Sequence, residues 1–223
     1  MCFSAGASFA GGAVLTTIGI ISVRAAHKPS QKLFAAIPLL FAFQQFSEGV
    51  VWLTLRSGSN QGLLMTAAYI FLVMALVVWP VMMPVAVRII EEDRNRKRVI
   101  TWMMAAGILL SGYYAFCLAS YSVTPVISGF HIKYINDFPG SLSDLAFVIY
   151  AIATLGPLFT SGVKRMYLFG LLVTLSCIVT GILYREYLTS VWCFFAALIS
   201  FVIYWIVREP GEESVPYHIR VKR

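Results

Sequence analysis

Charge is what this sequence has least of. Asp, Glu, Lys and Arg make up 12% of its 223 residues, against roughly 25% in a soluble domain. Hydrophobic residues make up 59%, and the mean hydropathy is +0.80. A water-soluble fold cannot bury that much apolar surface, so the composition excludes an ordinary soluble domain and indicates a membrane protein.

Histidine and cysteine are also scarce, with three and four copies. The cysteines show no Cys-x-x-Cys spacing, and Cys117, Cys177 and Cys193 lie in apolar stretches as small buried residues would, which excludes a zinc ribbon or a disulfide scaffold. No histidine pair and no lysine falls within an apolar segment, which excludes a bis-histidine haem and a retinal Schiff base. The P-loop and Gly-x-Ser-x-Gly patterns are absent, which excludes a P-loop ATPase and the usual serine hydrolase.

Seven apolar segments of about 20 residues are present, and each is long enough to cross a bilayer as an α-helix. They run approximately over residues 4–23, 33–55, 63–88, 99–121, 141–161, 166–184 and 187–207. The sequence therefore predicts an all-α integral membrane bundle of seven transmembrane helices. It forms one domain over residues 1–207, with a short cytoplasmic tail over residues 208–223, and the lipid bilayer is its first expected partner.

Positive charge alternates from loop to loop. The odd-numbered loops and the tail hold fourteen of the Lys and Arg residues, and the even-numbered loops hold three, namely Arg56, Lys133 and Arg185. Short loops rich in Lys and Arg remain in the cytoplasm, so the N-terminus is predicted outside and the C-terminus in the cytoplasm. These charges lie in short runs between apolar segments instead of on one face, so the formal charge of +7 indicates no nucleic-acid partner.

Glycine and proline fall where they affect helix packing. The first span carries small residues at positions 6–8 and 10–12, which would let a neighbouring backbone approach closely. Pro80 and Pro84 predict a kink in the third span.

Glu48 is the one acidic residue well inside a predicted span. That span ends near Arg56, and eight residues at about 1.5 Å each place Glu48 about 12 Å below the outer boundary. Gln44, Glu48 and Trp52 are four residues apart and so share one helix face, with Gln45 adjoining it. An ionisable residue at that depth usually marks a functional site, although a protonated Glu48 bonded between helices would serve structure alone. The face is the predicted pocket lining.

Other chemically useful side chains fall on the same predicted side of the membrane. They are Cys2, His131, Lys133, Tyr134, Asp137 and Asp144. The fourth loop, residues 122–140, is apolar through much of its length, so we expect it to fold over the helix ends as a lid, with Tyr134 at the pocket. Two of these residues also have structural interpretations, because His131 fits an ordinary loop histidine and Asp144 fits a helix cap with Ser141.

Cys2, Glu48 and His131 together offer a thiolate, a carboxylate and an imidazole. Such a set suits Zn²⁺ with one position open for water, and the bound water would supply hydroxide near neutral pH. In this hypothesis Cys2, Glu48 and His131 hold the metal, and Glu48, Asp137 and Asp144 are the candidate catalytic carboxylates.

Two stretches carry a resemblance to a known family: Met1-Cys2-Phe3-Ser4-Ala5 and Gln44-Gln45-Phe46-Ser47-Glu48-Gly49-Val50-Val51-Trp52. The chain resembles an uncharacterised family of bacterial multi-pass membrane proteins that begin with this pentapeptide. The resemblance implies the inner (plasma) membrane of a bacterium, and it implies no mechanism.

The leading hypothesis from the sequence is a membrane-embedded, metal-dependent enzyme with zinc as its cofactor. It would hydrolyse a lipid or a small apolar amide or ester at an outward-facing site. One alternative is a proton- or cation-coupled transporter or sensor that uses Glu48. Another is a non-catalytic membrane binding or assembly partner. The sequence leaves the substrate and the oligomeric state open.

Overall fold

The computed structural model describes residues 4–58, 60–140, 143–183 and 199–208, together with residues 191, 192, 195 and 197. Within these residues the chain is mainly helical, with one two-stranded antiparallel sheet. The helices are α1 (Ala5–Ala25), α2 (Lys32–Ala35), α3 (Ile37–Ser57), α4 (Gln61–Leu72), α5 (Trp79–Ile90), α6 (Arg94–Ser120), α7 (Ser143–Thr160), α8 (Met166–Leu183) and α9 (Phe201–Arg208). A 3-10 turn (Pro29–Gln31) precedes α2, a π-helical segment (Val73–Val78) joins α4 to α5, and the strands are β1 (Val123–Ser128) and β2 (His131–Asn136).

Six helical stretches in the described residues are long and apolar enough to cross a membrane. They are Ala5–Ala25, Pro29–Ser57, Gln61–Ile90, Arg94–Ser120, Ser143–Thr160 and Met166–Leu183. Each corresponds to one of the first six predicted spans. The seventh predicted span is described only in part, with α9 at its end, and the tail after Arg208 lies outside the described residues.

The outer surface of these helices is apolar. On α6, Trp102, Leu109 and Phe116 follow one another at intervals of seven residues and are 73%, 76% and 62% exposed. Large apolar side chains left outside a bundle in this way are typical of a surface that contacts lipid. Together with the six long apolar helices, this surface is consistent with a multi-pass membrane protein.

α1 and α3 pack antiparallel along the small-residue face predicted for the first span. A Cβ added at Gly12 would meet the Phe46 ring at 2.7 Å, and Phe9 in turn packs on Gly49. At these two positions glycine leaves room for an aromatic ring of the facing helix. This register fixes which residues of α1 meet which residues of α3.

The third predicted span is interrupted close to its prolines. The π-helical segment ends two residues before Pro80, whose missing N–H cannot continue the regular helical bonding of the preceding turn. Neighbouring helices donate to carbonyls of this segment. Tyr150 Oη donates to the carbonyl of Ala75 at 2.6 Å, and Ser111 Oγ donates to that of Val77 at 2.7 Å. Side chains from α6 and α7 therefore stabilise the interruption.

α6 lies against the interrupted helix at Gly107. The carbonyl of Pro80 lacks its usual donor, because Pro84, four residues on, has no N–H. A Cβ at Gly107 would overlap the Pro80 carbonyl oxygen. Only glycine lets α6 lie this close to the exposed carbonyl.

The fourth loop forms a β-hairpin, an element that the prediction of a purely helical bundle did not include, although the fold is mainly helical as predicted. β1 and β2 pair antiparallel from Val123–Asn136 to Ser128–His131, and Gly129 takes a φ of 61° in the two-residue turn. β-branched residues recur in both strands and favour this conformation. Val123 and Ile132 are buried among helical residues, so the loop folds over the helix ends as expected.

Glu91 joins two connections at the opposite end of the bundle. It is 4% exposed, and its carboxylate accepts from the Ser161 hydroxyl at 2.8 Å and from the Gly162 N–H at 2.7 Å. The N–H groups of Glu92 and Asp93 also donate to it. Burial alone would raise the pKa of Glu91, but these hydrogen bonds, that of Gly162 foremost, hold it below the usual value of 4.5. Glu91 therefore ties the α5–α6 connection to the α7–α8 connection.

Candidate functional site

One buried face of α3 gathers Gln44, Glu48 and Trp52. Each of the three is at most 1% exposed, and Gln45 beside them is 1% exposed. Gln44 is held in position, because the indole N–H of Trp79 donates to its Oε1 at 2.8 Å. Glu48 is thus fully buried within a helix that is long and apolar enough to cross a membrane.

α1 adds Ser8 to this face. The register of α1 on α3, in which Gly12 meets Phe46 and Phe9 meets Gly49, places Ser8 within one turn of Glu48, and Ser8 is fully buried. One turn further along α1 lies Gly11, where a Cβ would stand 4.0 Å from Oε1 of Gln45. Ser8, Gln44, Gln45, Glu48 and Trp52 are called the polar cluster below.

Three members of the polar cluster carry buried atoms with no hydrogen-bond partner among the described residues. These atoms are the hydroxyl of Ser8, both polar atoms of the Gln45 amide and the indole nitrogen of Trp52. A buried polar group left without a partner costs about 1–3 kcal/mol, so folds rarely collect several in one place. The arrangement is suited to a bound polar molecule.

The β-hairpin covers one end of the polar cluster. Ile132 is fully buried in the same apolar contact group as Trp52 and Ala5. The ring of Tyr134 stacks on Phe71 of α4, with centroids 5.1 Å apart and planes 9° apart. The hairpin is therefore packed on α1, α3 and α4 near the cluster.

His131 is the neighbour of Ile132 at the start of β2. It is 9% exposed, and burial lowers the pKa of His131 below its usual value of 6.5. The neutral imidazole is therefore the favoured form near neutral pH.

Arg56 extends the row of α3 residues by one more turn. Its guanidinium carbon lies 5.3 Å from the centroid of the Trp52 ring, a cation–π contact. The hairpin end of the polar cluster therefore carries positive charge next to the indole.

Two of the predicted catalytic carboxylates are on the surface. Asp137 follows β2 directly and Asp144 lies in the first turn of α7, and both are exposed. Ser141, the predicted cap partner of Asp144, lies outside the described residues. The structure thus places neither aspartate among the buried residues of the polar cluster.

The predicted zinc ligands are described only in part. Glu48 and His131 are both buried, and His131 belongs to the β-hairpin. Cys2 lies outside the described residues. Across the part of the chain that the structure describes, no group of three His, Cys, Asp or Glu side chains is placed to hold a metal ion. A zinc site at Glu48 and His131 would therefore need a third protein ligand from outside the described residues, and Cys2 is the predicted one.

Sequence reasoning overlooked Ser8 and Trp79 as neighbours of the predicted pocket. Ser8 appeared only as one member of the small-residue face, because the packing of α1 on α3 is needed to bring it within one turn of Glu48. Trp79 lies 35 residues from Gln44, and no spacing rule connects the two. The glutamine within a predicted span was the one available indication that a polar partner lies on another helix, since a buried amide needs hydrogen-bond partners.

An apolar cavity of about 40 Å³ lies on the far side of Gln44 from Glu48. It is lined by Phe41, Trp79, Met83, Tyr150, Thr154, Leu155, Phe169, Val173 and Trp192. A cavity of this size holds about one water molecule, and its walls are almost entirely apolar. The polar cluster is therefore the stronger candidate for a functional site.

A family model described as "Family of unknown function (DUF6629)" matches residues 1–216. No curated protein and no solved structure matches the chain. The family match extends over all the elements described above.

Proposed function

The chain belongs to DUF6629, a family of unknown function, and from its site we propose that it is a membrane carrier or sensor that links a small polar solute to a proton bound at Glu48. The observation that carries the proposal is the complete burial of Glu48 in a membrane-crossing helix, beside polar groups with no partner in the described chain. Ionisable residues inside membrane helices are costly and usually mark ion or proton pathways.

The make-up of the polar cluster favours binding over covalent chemistry. It contains two amides, an indole N–H, a hydroxyl and one carboxylate, and it lies between two membrane-crossing helices as solute sites of transporters do. Gln44 is bonded to Trp79, the first residue after the π-helical segment. A rearrangement of the cluster therefore has a direct connection to the interrupted helix.

The proposal includes an orientation, with the hairpin outside and the Glu91 end in the cytoplasm of a bacterial inner membrane. What supports it is the distribution of exposed basic residues, because loops rich in Lys and Arg remain in the cytoplasm. Those at the Glu91 end are Arg24, Lys28, Lys32, Arg88, Arg94, Arg96, Arg98, Lys164 and Arg208. Among the described residues of the hairpin end, the basic side chains are Arg56 and Lys133.

The test of the proton site is a pH titration of the carboxyl infrared absorbance of the protein reconstituted in lipid. Wild type is expected to show a titrating carboxyl band that Glu48→Gln removes. Glu91→Gln is the matched control, because Glu91 is also buried but lies at the other end of the bundle. Persistence of the band in Glu48→Gln would refute the proton site.

The zinc-dependent hydrolase is a second candidate, with Cys2, Glu48 and His131 as ligands. The observation in its favour is that Glu48 and His131 are both buried, and that His131 adjoins Ile132, which packs with Trp52. Its test is metal analysis of the purified protein with and without His131→Ala. Stoichiometric zinc that the substitution removes would favour the hydrolase, and absence of stoichiometric metal from both proteins would exclude it.

A further inference from the structure

The unpartnered groups of the polar cluster differ from comparable groups nearby. Ser22 is as fully buried on α1 as Ser8, and its hydroxyl donates to the carbonyl of Ile18 at 2.8 Å. The hydroxyl of Ser8, the amide of Gln45 and the indole N–H of Trp52 have no such bond within the described residues. Buried polar groups are almost always bonded to protein or to a bound molecule, so three in one place point to a ligand.

The three groups lie along one stretch of the α1–α3 interface. The α1–α3 contacts place Ser8 within one turn of Glu48, and Gln45 and Trp52 lie one turn on either side of Glu48 along α3. Gly11 faces the amide of Gln45, and because glycine has no side chain, Gly11 itself does not pack against the buried amide oxygen. Gln45 and Trp52 are seven residues apart, about 10 Å along the helix, so a ligand bound by both side chains would lie between them at the level of Glu48.

The hydrogen-bonding capacity of the three side chains specifies the class of ligand. The Gln45 amide offers two N–H donors and a carbonyl acceptor, the Trp52 indole only donates, and the Ser8 hydroxyl does both. None of the three is charged, and the Arg56 guanidinium over Trp52 disfavours a cation at that end. A planar group with a carbonyl next to an N–H is complementary to a glutamine amide through two parallel hydrogen bonds.

We infer that Ser8, Gln45 and Trp52 form a binding subsite for a small uncharged amide or urea. The ligand carbonyl accepts from the Gln45 amide and the Trp52 indole, and the ligand N–H groups donate to the Gln45 carbonyl and the Ser8 hydroxyl. The inference rests on the proposed function, because it names the solute that accompanies the proton at Glu48. It assigns the solute and the proton to different side chains.

Acetamide is the probe for this subsite. With the full chain in lipid nanodiscs, saturation-transfer NMR is expected to show saturable binding of acetamide, and urea should compete. Gln45→Leu and Trp52→Phe each remove a hydrogen bond to the ligand, so each should weaken acetamide binding about tenfold or more. Wild-type binding in both variants would overturn the inference.

Ser8→Ala and Ser22→Ala form the matched pair. Ser8→Ala should weaken acetamide binding without lowering the thermal unfolding temperature, because the lost hydroxyl has no partner among the described residues. Ser22→Ala should leave binding unchanged, since Ser22 is bonded within its own helix. If wild type shows no saturable signal for acetamide or urea, the three groups are satisfied by water alone and the inference is overturned.

Glu48→Gln distinguishes this inference from the proposed function. If wild type binds acetamide but its carboxyl band is unchanged by Glu48→Gln, the proton site is refuted and the amide subsite is supported. If Glu48→Gln removes the carboxyl band but wild type does not bind acetamide, the subsite is refuted and the proton site is supported.

Discussion

Glu48 and Glu91 are two buried glutamates in different surroundings. Glu91 lies in a connection where four protein donors reach its carboxylate, and its role is to hold two loops together. Glu48 lies beside amides and an indole inside a helix that is long and apolar enough to cross a membrane, where an ionisable group is costly. Burial by itself therefore does not mark a functional carboxylate, and the groups around it decide its role.

Glu91→Ala is expected to lower the free energy of unfolding by about 1–3 kcal/mol, because the donors of Ser161 and Gly162 lose their acceptor. Glu92→Ala is the control, since Glu92 is exposed and makes only a solvated ion pair with Lys28. Unfolding of both variants in detergent is the measurement. An equal loss in the two variants would contradict the role assigned to Glu91.

The same residue carries a pH dependence of known sign. Because hydrogen bonds hold the pKa of Glu91 below 4.5, its contribution to stability is complete above that pH and is lost as the pH falls through the lowered pKa. Glu91→Ala should therefore be less sensitive to acid than wild type in this range. Thermal unfolding as a function of pH measures the difference.

His131 should make the packing of the β-hairpin sensitive to acid. Burial lowers the pKa of His131, so the unfolded chain binds more protons than the folded chain just below pH 6.5. Stability from this group is complete above pH 6.5 and falls as the pH drops towards the lowered pKa. Hydrogen exchange of residues 123–136 should therefore be faster at about pH 5.5 than at about pH 7.5, and His131→Gln should remove the effect. The exposed His27 supplies the control variant His27→Gln, which should behave like wild type.

At the scale of elements, the interrupted helix from α4 to α5 depends on its neighbours. Its π-helical segment and its prolines leave carbonyls without regular helical donors. Tyr150 and Ser111 donate to the carbonyls of Ala75 and Val77 in this helix, and Gly107 allows α6 to approach that of Pro80. The interruption is therefore stabilised by tertiary contacts from α6 and α7.

Gly107→Ala is expected to destabilise the protein by about 1–3 kcal/mol, because the added methyl group would overlap the Pro80 carbonyl. Gly112→Ala on the same helix is the matched control, since a Cβ there meets nothing within 4 Å. Replacing that glycine should be neutral or stabilising by up to about 1 kcal/mol. Thermal unfolding of the two variants compares them directly, and equal stability would mean that the contact with Pro80 is not tight.

At the scale of the whole molecule, the bundle has two chemically different ends. The hairpin end holds the polar cluster and its cover, and the other end holds Glu91 and most of the exposed basic residues. Because one end is basic and the other is not, the charge distribution predicts the side of the membrane on which each end lies.

Cysteine labelling of intact bacterial cells tests this orientation. In a background without native cysteines, Asp137→Cys at the hairpin end should react with a membrane-impermeant maleimide. Glu92→Cys at the other end should react only after permeabilisation, although both positions are exposed. The reverse pattern would overturn the orientation, and labelling of both from outside would contradict the placement of the two ends on opposite sides.

The candidate site was only partly predictable from the sequence. The spacing of Gln44, Glu48 and Trp52 determines that they share a face of α3, because helical periodicity is local. Ser8 comes to the same place through the packing of α1 on α3, and Trp79 reaches Gln44 across 35 residues. Such contacts depend on which helices are neighbours, and a single sequence does not specify that.

Hydropathy alone determined the six membrane-length helices. In lipid, an apolar segment of about 20 residues can bond all its backbone N–H and C=O groups internally only as an α-helix. Hydropathy also determined that Glu48 lies within one of these helices. The tertiary structure decided the rest: the β-hairpin in place of an irregular loop, the hydrogen bonds of Glu91, and the meeting of Ser8, Gln45 and Trp52. The docking of the hairpin on the helices, the bonds from Ser161 and Gly162 to Glu91, and the packing of Ser8 beside α3 join segments far apart in the chain, and the free energy of such contacts is settled only when the helices pack.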